Sequence, residues 1–181
     1  MLKPDNEWKW YFDNELNTLS LDFGQDEKAF CIGIERKNLI ADAFSSSLFS
    51  VEDASYFSTY SEAIEMLPLP EQKKCQLVLN AVAARRFHKP FLPKSWFFHA
   101  HQPSVSPEEG RVIELVTELD SAQFIVIENS GTASLCMLAQ TANFELSENK
   151  TMQFCDTIKV MNDRIFLLEQ KEGMQSLALV S

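Results

Sequence analysis

The sequence predicts an α+β chain in two parts. The first is an α/β domain over residues 1–92, with antiparallel strands and two helices. The second is an all-β domain over residues 93–181. Three observations predict this. Short alternating or aromatic-rich runs, the signature of strands, occur on both sides of the chain's middle. Helical spacing is confined to a single stretch, from Ser50 to His88. Pro90, Pro93, Pro103 and Pro107 then punctuate the chain, and no long helical pattern follows residue 95.

The elements follow in order. WKWYFDNELNTLSLDF reads as a hairpin, two apolar and aromatic runs around the turn-prone Asp13-Asn14-Glu15. Leu19, Leu21 and Phe23 alternate with Thr18, Ser20 and Asp22, the period of a half-buried strand. AFCIGIE, residues 29–35, predicts a third strand, with Gly33 marking a bulge or a close backbone approach. Ser50, with Asp53 three residues on, predicts a helix start, and that helix runs to about Met66. After LPLP, Pro70 suits the first turn of a second helix. Cys75, Val78, Leu79 and Val82 recur at helical spacing, and Pro90 ends that helix near Lys89. RVIELVTEL, AQFIVIEN, SLCMLAQ, TMQFCDTIKV and RIFLLEQ read as strands, with turns at Ser130-Gly131-Thr132 and Met161-Asn162-Asp163. The closing KEGMQSLALVS reads as a loose end.

Composition narrows the function. The chain has 181 residues, 45% hydrophobic and 23% charged, the balance of an ordinary globular protein. No apolar run approaches the length of a membrane span, and the polar N-terminus is not a signal peptide, so a cytoplasmic protein without membrane insertion is expected. Cys31, Cys75, Cys136 and Cys155 form no CxxC pair and read as buried, reduced thiols. The few glycines form neither a GxGxxG fingerprint nor a P-loop, and there is no GxSxG elbow. No cofactor is expected. His99 and His101 would share one side of a strand and could supply two metal ligands, short of the three or four that zinc needs.

Charge is segregated. The net charge is -10, yet from Gln72 to Pro107 there is no acid. That window holds Lys73, Lys74, Arg85, Arg86, Lys89 and Lys94. Within it, RRFHKPFLPKSWFFHAH interleaves bases with Phe87, Phe91, Leu92, Trp96, Phe97 and Phe98. Such a strip suits a peptide with acidic and apolar residues. Nucleic acid fits less well, since most of the remaining surface repels phosphate.

Several plain strings in this chain are together specific to one family: WKWYFD, RKNLIADAFS, EQKKCQLVLNA, KPFLPKSW, SLCMLAQ and IKVMNDR. Through them the chain resembles the ZapC family of Z-ring-associated bacterial cell division proteins. The resemblance implies an α/β N-terminal domain beside a barrel-like C-terminal domain. It implies a cytoplasmic, non-enzymatic protein recruited to midcell. Such a protein binds the division GTPase FtsZ, bundles its protofilaments laterally, lowers its GTPase activity and stabilises the Z ring.

In this family a basic patch contributes to FtsZ binding. The matching positions are Lys89, Lys94 and Arg164, with Arg85, Arg86, Phe91 and Leu92 beside them in the strip. An apolar groove from Leu21, Phe23, Ile32 and Ile34 is a further expected contact, for the FtsZ tail. With no dimerising heptad, a monomer with two FtsZ contacts is expected. Two alternatives stand: a small enzyme or metal-binding protein using His99 and His101, and a nucleic-acid binder through the basic strip.

Overall fold

The computed structural model describes residues 2–168. The chain divides into two compact units, Met1–Pro90 and Phe91–Ser181. The closing KEGMQSLALVS and the end of RIFLLEQ lie outside the described residues.

The first unit begins with the expected hairpin. Strand β1 (Lys9–Asp13) pairs antiparallel with β2 (Thr18–Asp22), Lys9 opposite Asp22 and Asp13 opposite Thr18. The Asp13 carboxylate closes the turn by accepting the N–H groups of Glu15 and Leu16 at 2.9 and 3.0 Å. Asn17 takes φ of 57°, a left-handed conformation that Asn tolerates. Strand β3 (Phe30–Cys31) adds beside β2, and β4 (Ser47–Leu48) beside β1.

The third strand is far shorter than the expected 29–35. Ile32 still donates to the Leu19 carbonyl at 2.8 Å. The Gly33 N–H then turns away to the side-chain oxygen of Asn80, also at 2.8 Å. A polar side chain distant in sequence thus ends the ladder, and a Cβ at Gly33 would meet Asn80 Oδ1 at an ordinary 3.5 Å, so the expected close approach is not what calls for glycine there.

Helix α1 (Val51–Ile64) starts at a full capping box: Ser50 Oγ accepts from the Asp53 N–H, and the Asp53 carboxylate accepts from the Ser50 N–H. Helix α2 (Glu71–Phe87) follows Pro70 and packs along α1. It is not the one-faced helix that the sequence suggests. Leu77 to Ala84 are all buried, so its middle turns are covered on every side. Small alanines at 81, 83 and 84 permit that enclosure. Trp8 packs edge-on against Phe23, Phe49 and Phe57, and Trp10 stacks on Phe49 and meets Phe87.

The second unit is a sheet of five antiparallel strands: β5 (Val112–Val116), β6 (Ser121–Asn129), β7 (Ala133–Leu138), β10 (Thr157–Met161) and β11 (Phe166–Leu167), in the order β10-β7-β6-β5-β11. A separate hairpin joins β8 (Phe144–Ser147) to β9 (Lys150–Met152). Strand β8 is too polar and short to be legible as a strand. Ile113, Leu115, Phe124, Val126, Leu138, Phe144, Ile158 and Val160 belong to one buried cluster.

The barrel-like closure implied by the resemblance is not formed: among the described residues the sheet is open, with β10 and β11 at its edges. The outer edge of β10 is occupied by residues 94 and 95. The Lys94 N–H donates to the Lys159 carbonyl, and Ser95 Oγ accepts the Met161 N–H, each at 2.8 Å. A proline-flanked segment therefore covers the edge where a closing strand would pair. No helix among the described residues is long and apolar enough to cross a membrane.

Candidate functional site

The basic strip is split between the units. Arg85, Arg86 and Lys89 lie in the first: the two arginines in the last turn of α2, where cations complement the helix dipole, and Lys89 just beyond it. The three differ in role. The Arg86 guanidinium binds the Asp53 carboxylate, and it also donates to the Leu48 carbonyl at 3.0 Å and to Ser47 Oγ at 3.1 Å. These bonds tie α2, α1 and the edge strand together, which is a fold-building task. The Arg85 guanidinium lies 4.9 Å from the Tyr56 ring centroid. Both arginines, with Ser50, Glu52, Asp53 and Tyr56, line a small hollow of about 380 Å³. Lys89 is exposed, its backbone N–H held by the Asn38 carbonyl at 2.7 Å. The neighbouring His88 is half-buried, and burial lowers its pKa, opposed by the hydrogen bond to the Lys89 carbonyl.

Phe91, Leu92, Lys94 and Arg164 lie in the second unit. Leu92 is 86% exposed and Trp96 is 70% exposed. The backbone bond to Lys159 sets Lys94 beside that residue on the sheet edge. Arg164 Nε donates to the Ser95 carbonyl at 3.2 Å, and its Nη1 pairs with Asp163 at 3.2 Å. The Lys94–Ser95 segment is thus bonded to both Lys159 and Arg164, which brings three basic residues to one edge of the sheet, with Asp163 paired to Arg164. Lys159 is the member that sequence reasoning missed. Its signal was present: in TIKVM, Ile158 and Val160 are buried, and alternation puts Lys159 on the outer face.

Other expected contacts fare differently. Leu21, Ile32 and Ile34 are buried and belong to the first unit's core. Phe23 is partly exposed, with its ring on Trp8. His99 is exposed, and its backbone N–H donates to the Val116 carbonyl at 2.8 Å. The His101 ring centroid lies 4.5 Å from that of Phe166 with the planes tilted by 32°, and its backbone N–H donates to the Asp163 carbonyl. No cluster of three or more His, Cys, Asp or Glu suited to a metal occurs among the described residues.

The cysteines correct an expectation. All four are free thiols, but only Cys136 is buried, while Cys31 is exposed and the other two are intermediate. Cys31 is exposed because it faces outward on a two-residue edge strand. Burial pushes the Cys136 thiol up to about 12.

A surface of this kind, cationic with exposed apolar side chains, suits protein docking rather than covalent chemistry. Comparison with known proteins shows the family. The family model "Cell-division protein ZapC, N-terminal" matches residues 1–89, and "Cell-division protein ZapC, C-terminal" matches residues 90–171. A protein named "Cell division protein ZapC" in Photobacterium profundum is 51% identical over 180 residues, spanning 99% of both chains. A protein of the same name in Aliivibrio salmonicida is 49% identical over 165 residues, covering 91% of this chain and 92% of its own. One in Vibrio cholerae is 42% identical over 165 residues, covering 91% of each.

Proposed function

The chain belongs to the ZapC family of cell division proteins, and from that membership we propose that it binds FtsZ polymers, bundles their protofilaments laterally and stabilises the Z ring at midcell. In this reading it is a cytoplasmic monomer. It lowers FtsZ GTPase activity by holding filaments together, and it performs no catalysis of its own. The single observation that carries the reading is the bonding of the Lys94–Ser95 segment to Lys159 and Arg164, in a stretch that also exposes Leu92.

A chain with net charge -10 repels an acidic filament unless the contact face reverses sign locally. The edge of β10 supplies such a reversal. Its prolines at 90 and 93 fix φ in the segment that carries Phe91 and Leu92, which lowers the ordering cost of docking. Each exposed ion pair contributes on the order of 1 kcal/mol or less, so several act together and salt weakens them. Lys89 and Arg85 extend the reading to the first unit. Arg86 serves it indirectly, through the fold. Co-sedimentation with FtsZ polymers, comparing wild type with Lys94→Asp, tests it: the wild type pellets and a several-fold smaller fraction of the variant does so.

A further inference from the structure

We propose that a groove in the second unit docks an extended partner segment in which a basic side chain sits beside an apolar one. The groove has a volume of about 560 Å³ and lies among three loops: the segment around Trp96–His99, the β5–β6 turn and the β8–β9 turn. Trp96, Phe97, Leu119 and Leu146 give it apolar walls, and Trp96 and Leu119 are 70% and 49% exposed. Its charged lining residues are Glu118 and Glu148, both exposed, and it has no Lys or Arg in its lining.

Two carboxylates beside the exposed Trp96 ring select a cation. Carboxylates attract it at a distance, and ring faces attract it on contact. The chain shows the second effect itself: the Lys150 ammonium lies 5.7 Å from the Phe97 ring centroid. Trp96, more exposed than Phe97, offers the same contact to a partner. The apolar side chains of the partner segment would bury against Leu119 and Leu146.

The groove is already built. The Thr117 hydroxyl accepts the N–H groups of Leu119 and Asp120 at 3.2 and 3.1 Å and donates to the Glu145 carbonyl at 3.0 Å. That side chain is buried and ties the β5–β6 turn to β8. On the other wall, His99 is bonded to Val116, and Phe98 stacks on Phe144 with planes 5° apart. A pre-formed site loses little entropy on docking. Its sign is opposite to that of the Lys94 face, so it selects a different segment and stands independently of FtsZ binding.

The test follows the three tryptophan indole N–H signals of the full chain by NMR. Trp8 and Trp10 are buried in the first unit and serve as references for Trp96. The probes are Gly-Ser-flanked peptides with a Leu-Arg-Leu, Leu-citrulline-Leu or Leu-Glu-Leu centre. The expected result is a saturable shift of Trp96 with the Arg peptide. Citrulline weakens it about fivefold or more, and Glu118→Gln or Glu148→Gln weakens it about two- to fivefold. An unmoved Trp96, equal shifts with all three peptides, or unchanged affinity in both carboxamide variants would overturn the proposal.

Discussion

The Arg86 guanidinium and the Asp53 carboxylate form an ion pair whose carboxylate is 3% exposed. The same carboxylate closes the Ser50 capping box at 2.9 Å and accepts the Trp10 indole N–H at 3.0 Å. One side chain therefore anchors the start of α1, the end of α2 and the central strand β1.

Asp53→Ala removes the cap, strands the Trp10 donor and leaves Arg86 without its counter-ion. We expect a loss of about 3 kcal/mol or more, read as a lower urea midpoint. Arg86→Asp should also unfold the first unit, so lost FtsZ binding in that variant would report folding. An unchanged midpoint in Asp53→Ala would show that solvent replaces all three contacts.

His88 gives a pH dependence. Burial lowers its pKa in the fold, so the native state binds fewer protons than the unfolded chain around and below pH 6.5. Its contribution to stability is full above the unfolded value of 6.5 and is lost as pH falls through the lower folded value. Urea midpoints should fall from pH 7.5 to pH 5, and His88→Gln should flatten that slope. An identical slope in the variant would remove His88 as its source.

Thiol labelling should follow exposure and acidity together. Cys31 is exposed and should react first with a maleimide at neutral pH. Cys136 is buried with its pKa pushed up to about 12, so it should react only after unfolding. Mass mapping of the labelled positions checks the order.

Salt should act on the docking face. If Lys94, Lys159 and Arg164 steer FtsZ, binding should weaken several-fold between about 50 and about 300 mM salt. Lys89→Asp tests the first unit's share separately, and a loss smaller than that of Lys94→Asp is expected.

Local signals were the legible ones. Asp13 in its turn, Ser50 and Asp53 in the capping box, and Pro90 beyond α2 each act within a few residues, so the sequence displays them. What stayed hidden depends on distant partners. Asn80 shortens β3 by taking the Gly33 N–H across the fold. The enclosure of α2 comes from what surrounds it, which its own periodicity cannot state. The bond from Lys94 to Lys159 both leaves the sheet open and completes the cationic face, and 65 positions separate the two residues. The strip's bases were visible as a charge window, but their division of labour was not: Arg86 builds the fold while Lys94 faces solvent.

The most direct measurement is co-sedimentation of the full chain with GTP-assembled FtsZ, comparing wild type with Lys94→Asp/Lys159→Asp at low and moderate salt. Lys94 is exposed and Lys159 half-buried on the face away from Ile158 and Val160, and the variant should keep the wild-type unfolding midpoint. The account predicts that wild type pellets with the polymers, less so at moderate salt, while the variant remains in the supernatant. Equal pelleting of a folded variant would contradict it.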